Sequence, residues 1–119
     1  MKKILVVDDS PTERANLCQI LQQAGHTTAI ATNGKEALSK AKAERPDVIF
    51  LDVIMPEMDG YATCRTLISD PVTKHIPVIF VTSKSQKADR VWAQMQGGKG
   101  YVTKPYTTDQ ILSQLNSLG

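Results

Sequence analysis

The stretch Phe50-Leu51-Asp52-Val53-Ile54-Met55-Pro56-Glu57-Met58-Asp59-Gly60, with Val48 and Ile49 just before it, decides the fold. Val48 to Leu51 are consecutive apolar residues, the mark of a strand buried on both faces as in a parallel sheet. The run ends on a carboxylate, then a loop punctuated by Pro56 and Gly60, then a helical pattern. In an open α/β sheet, ligands gather in the crevice at the carboxyl ends of the strands. Asp52 therefore stands where chemistry is done. A second apolar run, Ile4-Leu5-Val6-Val7, also ends on carboxylates, Asp8 and Asp9. Two strands thus deliver three carboxylates to one sheet edge.

Working outward, residues 3–8 read as the first strand. Ser10 is a helix N-cap, with Pro11 at the first helical position and Glu13 three residues after the cap. Leu17, Ile20, Leu21 and Ala24 make an apolar stripe that Gly25 stops. Residues 27–31 form a short strand signalled by Thr27, Thr28 and Ile30. Asn33-Gly34 opens a helix, because Ala37, Leu38 and Ala41 follow at helical spacing, and Arg45-Pro46 ends it. The central strand, 47–52, precedes a helix from about Tyr61 to Ser69 with Leu67 and Ile68 inward and Asp70-Pro71 as its break. Residues 76–82 are another apolar strand, its start marked by Pro77. A helix over 86–96 carries Val91, Trp92 and Met95, and Gly97-Gly98 closes it. Lys99 to Thr103 is the last strand; Thr107 or Thr108 caps a final helix with Ile111, Leu112, Leu115 and Leu118. The βα unit repeats five times, which implies an α/β fold with a parallel five-stranded sheet, doubly wound, helices on both faces. One domain over 1–119, with no output domain, is expected.

A chain of 119 residues supports a single core. Its net charge of +2, without a Lys/Arg block, argues against a nucleic-acid footprint. No apolar run approaches a membrane span, and Met1-Lys2-Lys3 leads straight into a strand, so a cytoplasmic protein without membrane contact is expected. Cys18 and Cys64 lack CxxC spacing and read as buried or half-buried thiols; His26 and His75 read as surface residues.

The strand ends collect a constellation. Strand one contributes Asp8 and Asp9, strand three Asp52, strand four Thr82 and Ser83, strand five Lys104 followed by Pro105. Crowded carboxylates repel one another and need a cation, and hard oxygen ligands with room for water suit Mg²⁺. A metal there, with Lys104 and the Thr82 hydroxyl, would stabilise the equatorial oxygens of a phosphoryl group in transfer to Asp52, the nucleophile. Each signal alone has a plain structural alternative. An Asp-Asp pair or Asp52 can serve a loop or helix start, Thr82 can be an ordinary strand-end hydroxyl, and Lys104-Pro105 a solvated turn. Asp59 before Gly60 reads as a helix cap.

Asp8-Asp9, Asp52, Thr82 and Lys104-Pro105, with Met55-Pro56-x-Met58-Asp59-Gly60 and Gly100-Tyr101-Val102-Thr103 between them, resemble the signature of response-regulator receiver domains, the CheY-like family. That resemblance implies strand order 2-1-3-4-5, the flavodoxin and CheY order, and a cis Lys104-Pro105 bond. It implies Mg²⁺ held by Asp9, Asp52 and the Ile54 backbone carbonyl, with Asp8 assisting through water. Phosphoryl transfer would come from the phosphohistidine of a CheA-like histidine kinase or its phosphotransfer domain. It further implies a switch in which Thr82 moves inward and Tyr101 follows, repacking the helix 4, strand 5 and helix 5 face, where Lys84, Trp92, Tyr101 and Tyr106 are candidate partner contacts. Ile54 and Lys84, two residues after Asp52 and Thr82, stand where they would tune the lifetime of the phosphoryl group. Gly98 stands where the family often has Ala. Asp8-Asp9-Ser10-Pro11-Thr12-Glu13 and the stretch Val81 to Gly97 look like the PilH-type single-domain regulators of twitching motility and phototaxis, which implies a downstream motility or pilus protein and a monomer.

Three other readings are weaker. A haloacid-dehalogenase-like phosphatase needs a second Asp two residues after the nucleophile, where this chain has Ile54; no turnover enzyme is expected. Gly97-Gly98-Lys99-Gly100 precedes a strand, whereas phosphate loops follow one and open a helix. A phosphorylation-independent binding module would not need the acidic residues. A regulator of this kind could also act as a phosphate sink for a shared kinase.

Overall fold

The computed structural model describes residues 1–118. Five strands alternate with five helices: β1 Lys3–Val7, α1 Pro11–Gln23, β2 Thr27–Ala31, α2 Gly34–Glu44, β3 Val48–Leu51, α3 Gly60–Ser69, β4 Val78–Thr82, α4 Lys87–Met95, β5 Gly100–Thr103 and α5 Thr108–Ser117. All pairings are parallel, in the order β2-β1-β3-β4-β5. The crossover helices divide between the two sheet faces, as a doubly wound sheet requires.

Alternation along the strands builds two cores. Leu5, Val7, Ile49, Leu51, Val78 and Phe80 face α2, α3 and α4, meeting Ala37, Ala41, Cys64, Leu67 and Ala93. Ile4, Val6, Val48, Phe50, Ile79, Val81 and Val102 face α1 and α5, meeting Leu17, Leu21, Ile111 and Leu115. The inner strands β1, β3 and β4 are apolar on both faces for this reason, and their runs are continuous rather than alternating.

Local chemistry sets the helix starts. Ser10, Asn33, Asp59 and Thr107 accept from the backbone N–H groups of Glu13, Glu36, Ala62 and Gln110 respectively, each satisfying a donor that the first turn leaves open. Arg45, at φ 47°, ends α2 in the left-handed region.

Some side chains depart from their expected places: Ile68, read as inward, is 37% exposed at the end of α3. On α4, Val91, Trp92 and Met95 are 49%, 46% and 68% exposed, so their stripe faces outward. Only Ala93 of α4 is buried. Ala24 is exposed at the end of α1. His26 is half-buried rather than superficial, because its Nδ1 accepts the Lys2 N–H at 3.0 Å. β3 and β4 are shorter than the 47–52 and 76–82 expected for them, since Asp47, Ile76 and Pro77 lie before the ladders begin and Asp52 after the first of them ends. Cys64 is buried and Cys18 half-buried, both free thiols.

Register brings the site together. Val7 pairs with Leu51, so the next residues, Asp8 and Asp52, stand side by side, with the Asp52 N–H bonded to the Val7 carbonyl at 3.0 Å. Thr82 pairs with Thr103, and the Lys104 N–H donates to the Thr82 carbonyl at 2.8 Å. Gly60 fixes the loop after Asp52: its N–H donates to the Val53 carbonyl at 2.8 Å. A Cβ on Gly60 would collide with the Asp52 carbonyl oxygen and lie 2.8 Å from the Val53 Cα, both rigid backbone atoms. Gly60→Ala should therefore destabilise the fold by about 1–3 kcal/mol, the cost of overpacking. Urea unfolding checks this, and an unchanged midpoint would show that the loop yields freely.

Candidate functional site

Three carboxylates and one ammonium meet at the carboxyl edge of the sheet. Asp8 and Asp52 are 6% and 7% exposed, whereas Asp9 is exposed. One oxygen from each lies within 4.8 Å of the other two. Lys104 Nζ donates to Asp8 Oδ2 at 2.8 Å and to Asp52 Oδ2 at 3.4 Å, and Glu13 Oε2 lies 3.7 Å from it. Backbone donors serve the other carboxylate oxygens: Ser10 N–H reaches Asp8 Oδ1 at 2.9 Å, and Ile54 N–H reaches Asp52 Oδ1 at 3.3 Å. Arg14 Nη1 donates to the Asp8 carbonyl at 2.8 Å. Strand alternation explains the grouping. Asp8, Asp52 and Lys104 extend the rows of Val6, Phe50 and Val102, on the α1 and α5 side of the sheet.

Burial raises the Asp52 pKa, and Asp8's charge adds to the effect, while Lys104 and the Ile54 N–H pull the other way without cancelling it. Burial also opposes the charged form of Lys104. The hydrogen bond to Asp8 and the charges of Asp52, Asp8 and Glu13 outweigh that effect and hold its pKa above the ordinary lysine value. Three carboxylates against one ammonium leave a surplus of negative charge on hard oxygen donors. That donor set fits Mg²⁺ and suits neither a thiolate- nor an imidazole-seeking metal.

Thr82 and Tyr101 lie on the other row, in line with Phe80 and packed toward α4. Thr82 is fully buried, and its Oγ1 accepts the Lys84 N–H at 3.4 Å. The Tyr101 hydroxyl donates to the Lys84 carbonyl at 2.8 Å, and the Tyr61 hydroxyl to the Asp89 carbonyl at 3.2 Å. Two phenols thus pin the β4–α4 loop and the start of α4. Burial, then neighbouring Tyr61 and Asp89, push the Tyr101 pKa up, so its phenol stays a donor. Lys84 Nζ is 3.9 Å from Asp89 Oδ1, its one ion pair among the described residues. The Ile54 side chain is 53% exposed. Trp92 meets Tyr61 edge-on, and Tyr106 packs toward α1 with its hydroxyl accepting from Asn16 at 3.3 Å. Lys104-Pro105 is cis.

Glu13, Arg14 and Gly60 were not singled out as site residues by sequence. Glu13 and Arg14 lie in the first turn of α1, straight after the loop that carries Asp8 and Asp9, a closeness in sequence that does point at the pocket. Gly60 gave only a turn signal.

Asp52 carries a consequence for stability. A carboxyl whose pKa is higher folded than unfolded binds its proton more tightly when folded, so stability falls as pH rises from the ordinary value of 3.8 through the folded one. Asp52→Asn removes that penalty and leaves Lys104 paired with Asp8. The variant should melt higher than wild type at neutral pH, with the gap closing as pH falls toward about 4. Thermal melts across that range test it, and a variant that melts no higher than wild type would sink it.

Comparison with known proteins agrees with this geometry. Residues 4–116 match the response regulator receiver domain family. The chain is 42% identical to Protein PilH of Pseudomonas aeruginosa, covering 99% of this chain and 98% of PilH. It is 33% identical to Protein PilG of the same organism, over 97% of this chain and 85% of PilG. Among solved structures, the Vibrio cholerae chemotaxis protein CheY4 superposes with a TM-score of 0.93 at 32% identity, covering 100% of this chain and 99% of that one. With the five-stranded order, the acidic pocket and a family match across almost its whole length, this chain belongs to the response regulator receiver domain family.

Proposed function

We propose that this protein is a phosphorylation-driven switch that accepts a phosphoryl group on Asp52 from the phosphohistidine of a CheA-like histidine kinase. The observation that carries this reading is the Asp52 carboxylate itself. It is buried at a strand end, with one oxygen on Lys104 Nζ at 3.4 Å and both other pocket carboxylates in reach of the same cation. An Asp52 oxygen attacks phosphorus, the P–N bond breaks, and its electron pair returns to the leaving imidazole. The carboxylate becomes an acyl phosphate. Mg²⁺ bound by Asp9, Asp52 and the Ile54 carbonyl, with Asp8 through water, would supply positive charge to the phosphoryl oxygens. Lys104 and the Thr82 hydroxyl supply the remaining donors, and positioning plus charge is most of what this chemistry needs. Two clefts open beside the pocket's residues: one between α1 and the β5–α5 loop, lined by Glu13, Ser83, Lys104 and Tyr106, the other lined by Ile54, Met55 and Lys84.

The output follows from the bonds around Lys84. Drawing Thr82 toward the phosphoryl group moves the Lys84 N–H it accepts from, and with it the carbonyl that anchors Tyr101. Tyr101 then repacks, and the α4, β5 and α5 face changes shape for a partner. The similarity to PilH and PilG supports a place in pilus-based motility signalling with a downstream motility protein. No helix among the described residues is long and apolar enough to cross a membrane.

Incubation with acetyl phosphate tests the core of this reading. Intact mass should rise by one phosphoryl group in the presence of Mg²⁺, and Asp52→Ala should abolish the gain. Folded protein that takes up neither a phosphoryl group nor beryllofluoride would mark a binding module instead. Ile54→Asn should shorten the acyl phosphate lifetime by admitting water, and Lys84→Ala should alter it by removing a cation from the rim. Identical dephosphorylation rates in both variants and wild type would rule out their tuning roles.

A further inference from the structure

Glu13 occupies a capping-box position without making a capping box. In that motif the side chain at the third helical position accepts the N-cap's own backbone N–H. Here Ser10 Oγ does accept the Glu13 N–H at 3.3 Å, so half of the box is present. The Ser10 N–H, however, donates to Asp8 Oδ1 at 2.9 Å. Asp8 has taken the acceptor role, and the Glu13 carboxylate is turned instead toward Lys104 Nζ, at 3.7 Å. Arg14, the next residue, bonds the Asp8 carbonyl and so fixes the first turn of α1 against the pocket. Glu13 is held beside Lys104 by this wiring, while remaining outside the carboxylate cluster that a cation would claim.

The three acceptors of the Lys104 ammonium are therefore unequal. Asp8 and Asp52 hold it at 2.8 Å and 3.4 Å, and both belong to the cluster that suits a divalent ion. With a cation held there, those oxygens would turn to it and the ammonium would be repelled. Glu13 is the one acidic partner of Lys104, among the described residues, that stays free to receive it. We propose that Glu13 is a positioning residue for Lys104. It takes up the ammonium as Asp8 and Asp52 turn to the cation, and it keeps that ammonium at the pocket rim, ready for a phosphoryl oxygen. This rests on the Mg²⁺ and Lys104 roles proposed above and adds a residue to them.

The distinguishing feature is coupling: Glu13 acts through Lys104, not on the cation directly. A double-mutant cycle read by calorimetric Mg²⁺ titration isolates that term. Glu13→Gln keeps the backbone N–H that Ser10 caps and adds no bulk, and circular dichroism confirms the fold of each variant. Glu13→Gln should weaken Mg²⁺ binding about three- to tenfold when Lys104 is present and less than about twofold in a Lys104→Ala background, where only direct, solvent-screened attraction is lost. Glu13→Asp, which keeps the charge, should recover part of the affinity. Equal losses in both backgrounds, or no loss when Lys104 is present, would overturn the proposal while leaving the cation site intact. A wild-type chain that binds no Mg²⁺, or binds it as well after Asp9→Asn and Asp52→Asn, would overturn the cation site itself and the Glu13 role with it.

Discussion

Asp8 and Asp52 are two carboxylates brought side by side by the pairing of β1 with β3, each almost completely removed from water. Like charges in that setting repel far more strongly than they would in solvent, and the ammonium of Lys104 between them is what makes the arrangement tenable. The backbone is not free to relieve the repulsion. Each carboxylate sits one residue beyond a strand that is buried on both faces, and sliding either strand would move its whole apolar set off the cores. The fold thus enforces a charge imbalance that one lysine only partly offsets, on a donor set that suits a hard cation.

Sheet alternation also divides the site. The charged groups extend the rows that face α1 and α5, whereas Thr82 and Tyr101 extend those that face α4. The two halves are joined by three hydrogen bonds: Lys104 N–H to the Thr82 carbonyl, Lys84 N–H to the Thr82 hydroxyl, and Tyr101 hydroxyl to the Lys84 carbonyl. A change in charge on one side of the sheet therefore has a contiguous path to the other side, running through two strand ends and one loop.

The fold was largely legible from sequence because its signals are local or binary. Ile4 to Val7 and Val48 to Leu51 are unbroken apolar runs, which inner parallel strands require. The caps at Ser10, Asn33, Asp59 and Thr107 act within four residues of themselves. The meeting of Asp8, Asp9, Asp52 and Lys104 followed from topology, since every strand of a parallel sheet ends at the same edge. What escaped was relational. Val91, Trp92 and Met95 form an apolar stripe, and a stripe does not say whether it meets a core or water. Glu13 read as a cap partner because its other partner, Lys104, lies at the far end of the chain. The anchoring of Lys84 by Tyr101 depends on a loop path that no periodicity encodes.

Helix α4 buries a single side chain, Ala93. Its other ties are peripheral: the Tyr61 hydroxyl at its first turn and the Tyr61 ring at Trp92, Arg90 against Thr103 and the Tyr101 ring, and Cys64 and Arg65 on the Gln96 carbonyl and side chain at its end. Such an element contributes little to global stability and opens at low free energy, as its own cooperative unit. Its amide protons would exchange with solvent well before those of β1, β3 and β4. The helix that presents Trp92 and Met95 to the outside can consequently shift or fray while the sheet and its acidic edge stay rigid. The acidic edge and the helix beside it are then parts of one small domain that differ in softness.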